Sequence, residues 1–74
     1  MNEAEFLERV RGLAAYWSNV EGSKESCVDG FAFSVLGLFD GVSVGTPQMI
    51  ITVKETGEVV NPNPWLHELY YESN

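Results

Sequence analysis

Seventy-four residues make one domain (1–74), and a chain this short buries only about 60–65% of its unfolded surface. One cysteine, Cys27, and one histidine, His67, exclude an internal disulfide and leave too few ligands for a structural zinc site. Eleven acids against four bases give a net charge of −7, which argues against direct binding of nucleic acid or an anionic membrane and favours a partner with a basic surface.

The first element is an amphipathic helix at about 3–19. Asn2 is placed to cap it, with Glu5 three residues on as in a capping box. Phe6, Val10, Leu13 and Trp17 recur at helical spacing and predict one apolar stripe, widened by Leu7 and Ala14. Gly22 is the expected stop.

The segment 24–39 carries the longest apolar run, "FAFSVLGLF". Its alternation also fits a buried strand, but the length of the run and the N-cap signal at Ser23 favour a helix. Cys27, Phe31, Val35 and Leu38 form its stripe. Gly30 and Gly37, seven residues apart, are expected to admit a close neighbour on one face. The run is too short to cross a membrane, which needs about 18–20 apolar residues.

"DGVSVGTP" reads as a connector. "QMIITVK" (48–54) alternates β-branched residues and predicts a strand, with Gly57 in the turn "ETGE" and a return strand at about 58–61. Asn63 and Pro64 predict the cap and first residue of a last helix, about 64–71, fraying at 72–74. In that helix Trp65, Leu66, Leu69 and Tyr70 are expected to face the core. The predicted fold class is therefore α+β: two helices, an antiparallel hairpin and a closing helix.

"DGFAFSVLGLFDG" followed by "NP" and "LHELYY" resembles small uncharacterised proteins of bacteria, phages and prophages. In these a helix with a GxAFS core ends in LDG, and an LHE segment closes the chain. The resemblance covers roughly residues 27–45 and 60–71, and the 41–60 segment is shorter here than the Pro-rich connector of that pattern. It implies a small protein of mobile-element origin and no activity that transfers to any residue.

No constellation specifies a reaction. His67 beside Glu68 has the composition of an acid–base pair, but adjacent helical residues diverge by about 100°, and Tyr71 stands where a zinc protease motif needs a second histidine. Cys27 near a helix start has the position of a reactive thiol, yet its apolar stripe suits a buried one. Asp29 and Asp40, eleven residues apart, lie too far apart along a helix for a glycosidase pair. "GVSVG" lacks the lysine of a phosphate loop.

The expected function is a non-catalytic, acidic protein-binding module without cofactor or metal. Its partner-binding surface is expected to comprise Tyr16, His67, Glu68, Tyr71 and Glu72. If phage-borne, its natural form is an inhibitor of a bacterial defence protein, of the anti-CRISPR kind, that covers a basic nucleic-acid-binding surface. The alternative is a homodimeric structural or regulatory domain; a third reading is an enzyme or small-ligand binder using His67, Cys27 or both. A lone cysteine and the absence of a basic, apolar leader after Met1 point to the cytoplasm, the host's if the protein is phage-encoded.

Overall fold

A computed structural model describes residues 1–42 and 45–72. It contains three helices: α1 (Glu3–Ser18), α2 (Lys24–Asp40) and α3 (Leu66–Glu72). Positions 43 and 44 of the expected connector, and 73 and 74 of the expected fray, lie outside the described residues.

Local signals account for the first two helices. Asn2 accepts the Glu5 amide at 2.8 Å, and Ser23 accepts the Ser26 amide at 3.1 Å, each satisfying one of the free donors of a helix start. Phe6, Val10, Leu13 and Trp17 are the half-buried stripe of α1, while Leu7 and Ala14 remain exposed. α1 stops before Gly22. Ser18 Oγ and Asn19 Nδ2 donate back to the Ala14 and Ala15 carbonyls, and Asn19 ends the helix.

The two sides of α2 face different neighbours. Gly30 and Ser34 meet Trp17 of α1: the indole Nε1–H donates to Ser34 Oγ at 2.9 Å, and the ring lies directly over Gly30. On the other side Asp29, Phe33 and Asp40 meet α3. Among the described residues α1 and α3 each pack on α2 and not on each other. The high apolar content of α2 thus reflects a helix sandwiched between two others.

At its end, Gly41 takes a left-handed φ of 75°, and the Gly41 and Val42 amides close onto the Leu38 and Gly37 carbonyls, a glycine stop of the Schellman type. A side chain at Gly41 would lie 2.5 Å from the backbone nitrogen of Gln48. The returning connector is docked there, with the Met49 amide donating to the Phe39 carbonyl.

The α+β expectation is corrected at residues 48–61. No strand forms among the described residues, and the fold is all-α. What remains of the hairpin is one antiparallel bridge, Thr52 with Val59, flanked by the Val53–Glu58 and Val60–Ile51 hydrogen bonds. The ladder ends because side chains and the turn take its next partners. The Ile51 amide, which would continue the ladder, donates instead to Asn61 Oδ1 at 2.6 Å, while Asn61 Nδ2 donates to the Met49 carbonyl. At the turn, the Val53 carbonyl takes the Gly57 amide, with Gly57 at φ 76°. Asn61 is only 1% exposed, so it holds this ribbon in place of a sheet. Asn61→Ala is expected to strand the Ile51 amide and Met49 carbonyl and to cost about 2 kcal/mol, measured by urea unfolding; a loss within 0.5 kcal/mol or so, as at ordinary surface sites, would exclude this role.

The last helix is corrected at its start. Trp65, not Asn63, precedes it, accepting the Glu68 and Leu69 amides on its carbonyl. Packing of the whole is thin. Leu38 is the only large apolar residue counted as buried among the described residues, at 1% exposure. The radius of gyration is 13.3 Å, where a compact chain of this length would have about 11 Å.

Candidate functional site

The contact between α2 and α3 holds the chain's most unusual polar chemistry. Asp40, the last residue of α2, is fully covered at its side chain. It stands at the carbonyl end of α2, where the helix dipole works against a negative charge. The amide end of α3 compensates. Asp40 Oδ2 accepts the His67 backbone amide at 2.9 Å and faces His67 Nδ1 at 2.5 Å, so a proton on Nδ1 completes a second bond from the same residue. The other oxygen, Oδ1, is buried without a hydrogen-bond partner, as is Thr46 Oγ1.

His67, expected on the partner-binding surface, is consequently turned inward. Its side chain is 13% exposed and its ring meets Phe33 edge-on, centroids 5.4 Å apart. Tyr71 lies against the same Phe33 at 4.9 Å. Further along α2, Asp29 accepts the Tyr70 hydroxyl at 2.9 Å. The two aspartates are therefore anchor points for α3.

That hydrogen bond, together with burial and the Asp29 charge, raises the Tyr70 pKa above its ordinary value of 10.0. The protonated phenol is the form favoured by folding. Its stabilisation is complete below the ordinary phenol range and is lost as pH rises through the raised value. Asp29→Asn is expected to bring Tyr70's titration back down toward the ordinary value, read by NMR of ring-labelled tyrosine. An unchanged titration would assign the shift to another cause.

A carboxylate holding Nδ1 of an imidazole is the orienting half of many nucleophilic sites. Here no thiol or hydroxyl hydrogen-bonds the remaining ring nitrogen among the described residues. Cys27 lies thirteen residues from Asp40, about 20 Å along α2, and faces α1. Its thiol is directed at the Val20 carbonyl, 3.5 Å away, in a groove of about 230 Å³ lined with Ala14, Trp17, Ser18, Val28 and Phe31. Cys27 thus faces α1, whereas His67 packs on the α3 side of α2. Among the described residues no three His, Cys, Asp or Glu side chains cluster as metal ligands.

The five residues expected to form a partner surface are divided between α1 and α3. Tyr16 is exposed on α1, which does not touch α3. Glu68 and Glu72 are exposed on α3; Tyr71 is half exposed over Phe33; His67 is turned inward. Sequence reasoning placed Trp65 and Leu69 against the core, but they are 53% and 51% exposed. α3 is rotated by roughly 100°, one residue's turn, from the orientation that its apolar residues alone would choose. The signal available in the sequence was Asp40 itself, an acid closing an apolar helix and requiring a donor.

No protein-family model matches the chain, and no curated protein or solved structure is similar to it. No described helix is long and apolar enough to cross a membrane.

Proposed function

We propose that this chain is a small, acidic, non-catalytic protein-binding module whose partner presents a basic surface. One observation carries the reading. Eleven large apolar side chains stand exposed among the described residues, against the single buried Leu38, on a chain of net charge −7. Where exposed apolar side chains lie close together, as Trp65 and Leu69 do in successive turns, they are the usual material of interfaces, and the charge sets the sign of the partner.

The mobile-element resemblance suggests one concrete form: a phage-encoded inhibitor that occupies the nucleic-acid-binding surface of a bacterial defence protein in the host cytoplasm. A pull-down from bacterial lysate at low salt tests the reading, because acid–base contacts are least screened there. The expected result is retention of a basic protein that elutes as salt rises. Retention of no protein would sink the proposal.

The thin core also favours a second reading, a homodimer that covers its own apolar surface. Light scattering across a concentration series separates the two. A concentration-independent monomer excludes the dimer, which must also overcome the repulsion between two chains of charge −7.

A further inference from the structure

We infer that the outward side of α3 is a docking stripe for a protein whose site is an apolar cleft rimmed by lysine or arginine. The inference rests on the protein-binding reading above and assigns that binding to four residues. Trp65, the residue just before α3, and Leu69 are four residues apart, joined by the bond from the Leu69 amide to the Trp65 carbonyl, and are 53% and 51% exposed. Glu68 and Glu72 follow at offsets of three and seven residues from Trp65, and both are exposed. The helix "LHELYYE" contains no lysine or arginine. Two apolar side chains are thus interleaved with two negative ones and no positive one.

The stripe is held from behind. His67 is fixed on Asp40, Tyr70 on Asp29 and Tyr71 on Phe33. His67 and Tyr70 are turned toward α2, and Tyr71, half exposed, rests on it, so α3 is ordered before a partner arrives and little further ordering entropy opposes binding. Tryptophan is among the residues most enriched at the energetic centre of interfaces.

Charge selects the occupant. A second copy docked through a two-fold axis on this stripe would bring the same acidic stripe against it, with no lysine or arginine for Glu68 and Glu72 to meet. Nucleic acid and anionic lipid carry the wrong sign. A basic-rimmed apolar cleft matches all four side chains: its floor takes Trp65 and Leu69, and its rim takes Glu68 and Glu72.

The probe is an amphipathic leucine–lysine helical peptide, which carries an apolar stripe bordered by ammonium groups. It is compared by calorimetry and tryptophan fluorescence with a leucine–glutamate peptide and with oligolysine. The intact chain is expected to bind the leucine–lysine peptide with a blue shift of its emission. Trp65→Ala combined with Leu69→Ala is expected to weaken binding about 30-fold, with the far-ultraviolet circular dichroism unchanged because both side chains are more than half exposed. Glu68→Gln with Glu72→Gln is expected to weaken it several-fold and to flatten its salt dependence.

Equal binding by the Trp65/Leu69 variant, equal binding of oligolysine, or no binding of the leucine–lysine peptide overturns the inference. So does a wild-type dimer that the Trp65/Leu69 variant abolishes, which would make a second copy the occupant. The same variant in the lysate pull-down keeps the two readings apart. If it retains the wild-type partner undiminished, the stripe is refuted and the protein-binding reading stands; if the wild-type chain retains nothing, both fall.

Discussion

Replacing His67 with alanine is expected to cost about 3 kcal/mol of stability, at the upper end of the range for leaving a buried acceptor short of its donor. A chain of this length has roughly 4–11 kcal/mol in total, so the variant should be close to unfolding or should release α3. Alanine leaves the backbone donor to Asp40 but removes the ring donor at Nδ1 and the Phe33 contact. A covered carboxylate would then hold one bond and two underused oxygens. Asp40→Asn supplies the decisive comparison, because an amide oxygen still accepts both His67 donors without the buried charge. In that background His67→Ala should cost only about 1 kcal/mol, the worth of an ordinary hydrogen bond. Urea melts of the two single variants and the double variant measure the coupling. If His67→Ala costs the same in both backgrounds, the carboxylate is not what anchors α3. Because the loss comes through the fold, any binding defect of His67→Ala is expected to follow its stability; lost binding in a fully folded variant would instead point to the histidine-based chemistry set aside above.

The second large effect comes from adding one methyl group. A Cβ built at Gly30 lies 2.4 Å from two ring atoms of Trp17 and 2.8 Å from a third. The ring cannot simply swing away, because its Nε1–H is bonded to Ser34. In an open helix, glycine to alanine gains about 1 kcal/mol. At Gly30 the overlap should outweigh that gain and leave a net loss of about 2–3 kcal/mol, with a changed near-ultraviolet spectrum of Trp17. Gly12 provides the opposite case on α1: nothing stands within 4 Å of a Cβ there. Gly12→Ala should therefore stabilise by up to about 1 kcal/mol. The same chemical change is thus expected to act with opposite sign at two helical glycines, read from thermal or urea midpoints. A stabilised Gly30→Ala would mean that α1 and α2 are not in the close approach described.

The close approach at Gly30 was partly legible in advance. Two glycines seven residues apart in an apolar run signal a helix that something must approach, but not what approaches: Gly30 meets Trp17, and Gly37 meets Val42 of the connector instead. The arrangement of α3 was not legible, because its seven residues offer two plausible inward faces. One buries Trp65 and Leu69 beside Leu66 and Tyr70; the other keeps Tyr70 on Asp29 and brings His67 and Tyr71 to Asp40 and Phe33. The first gains about 1.5–3 kcal/mol for each fully buried side chain. The second avoids an unpaired buried carboxylate, which costs several kcal/mol on its own, and also satisfies the Asp29–Tyr70 bond. The polar requirement on α2 wins, and Trp65 and Leu69 are left facing out. The proposed docking stripe follows from that result: it keeps Glu68 and Glu72, leaves out the inward-turned His67 and adds Trp65 and Leu69.

Amino-acid order alone determined α1 and α2, their caps at Asn2 and Ser23, the apolar stripe of α1 and the turn at Gly57. Each of these depends on partners within a few residues, on spacing or on a single backbone conformation. Tertiary structure decided the rest. The ribbon at 48–61 became an Asn61-stapled loop instead of a sheet because a side chain ten residues from Ile51 captured the amide that the ladder needed. The face that α3 shows to solvent was set by an aspartate twenty-seven residues away. Such competition between distant polar groups leaves no trace in local periodicity, and here it determines which residues are available to a partner.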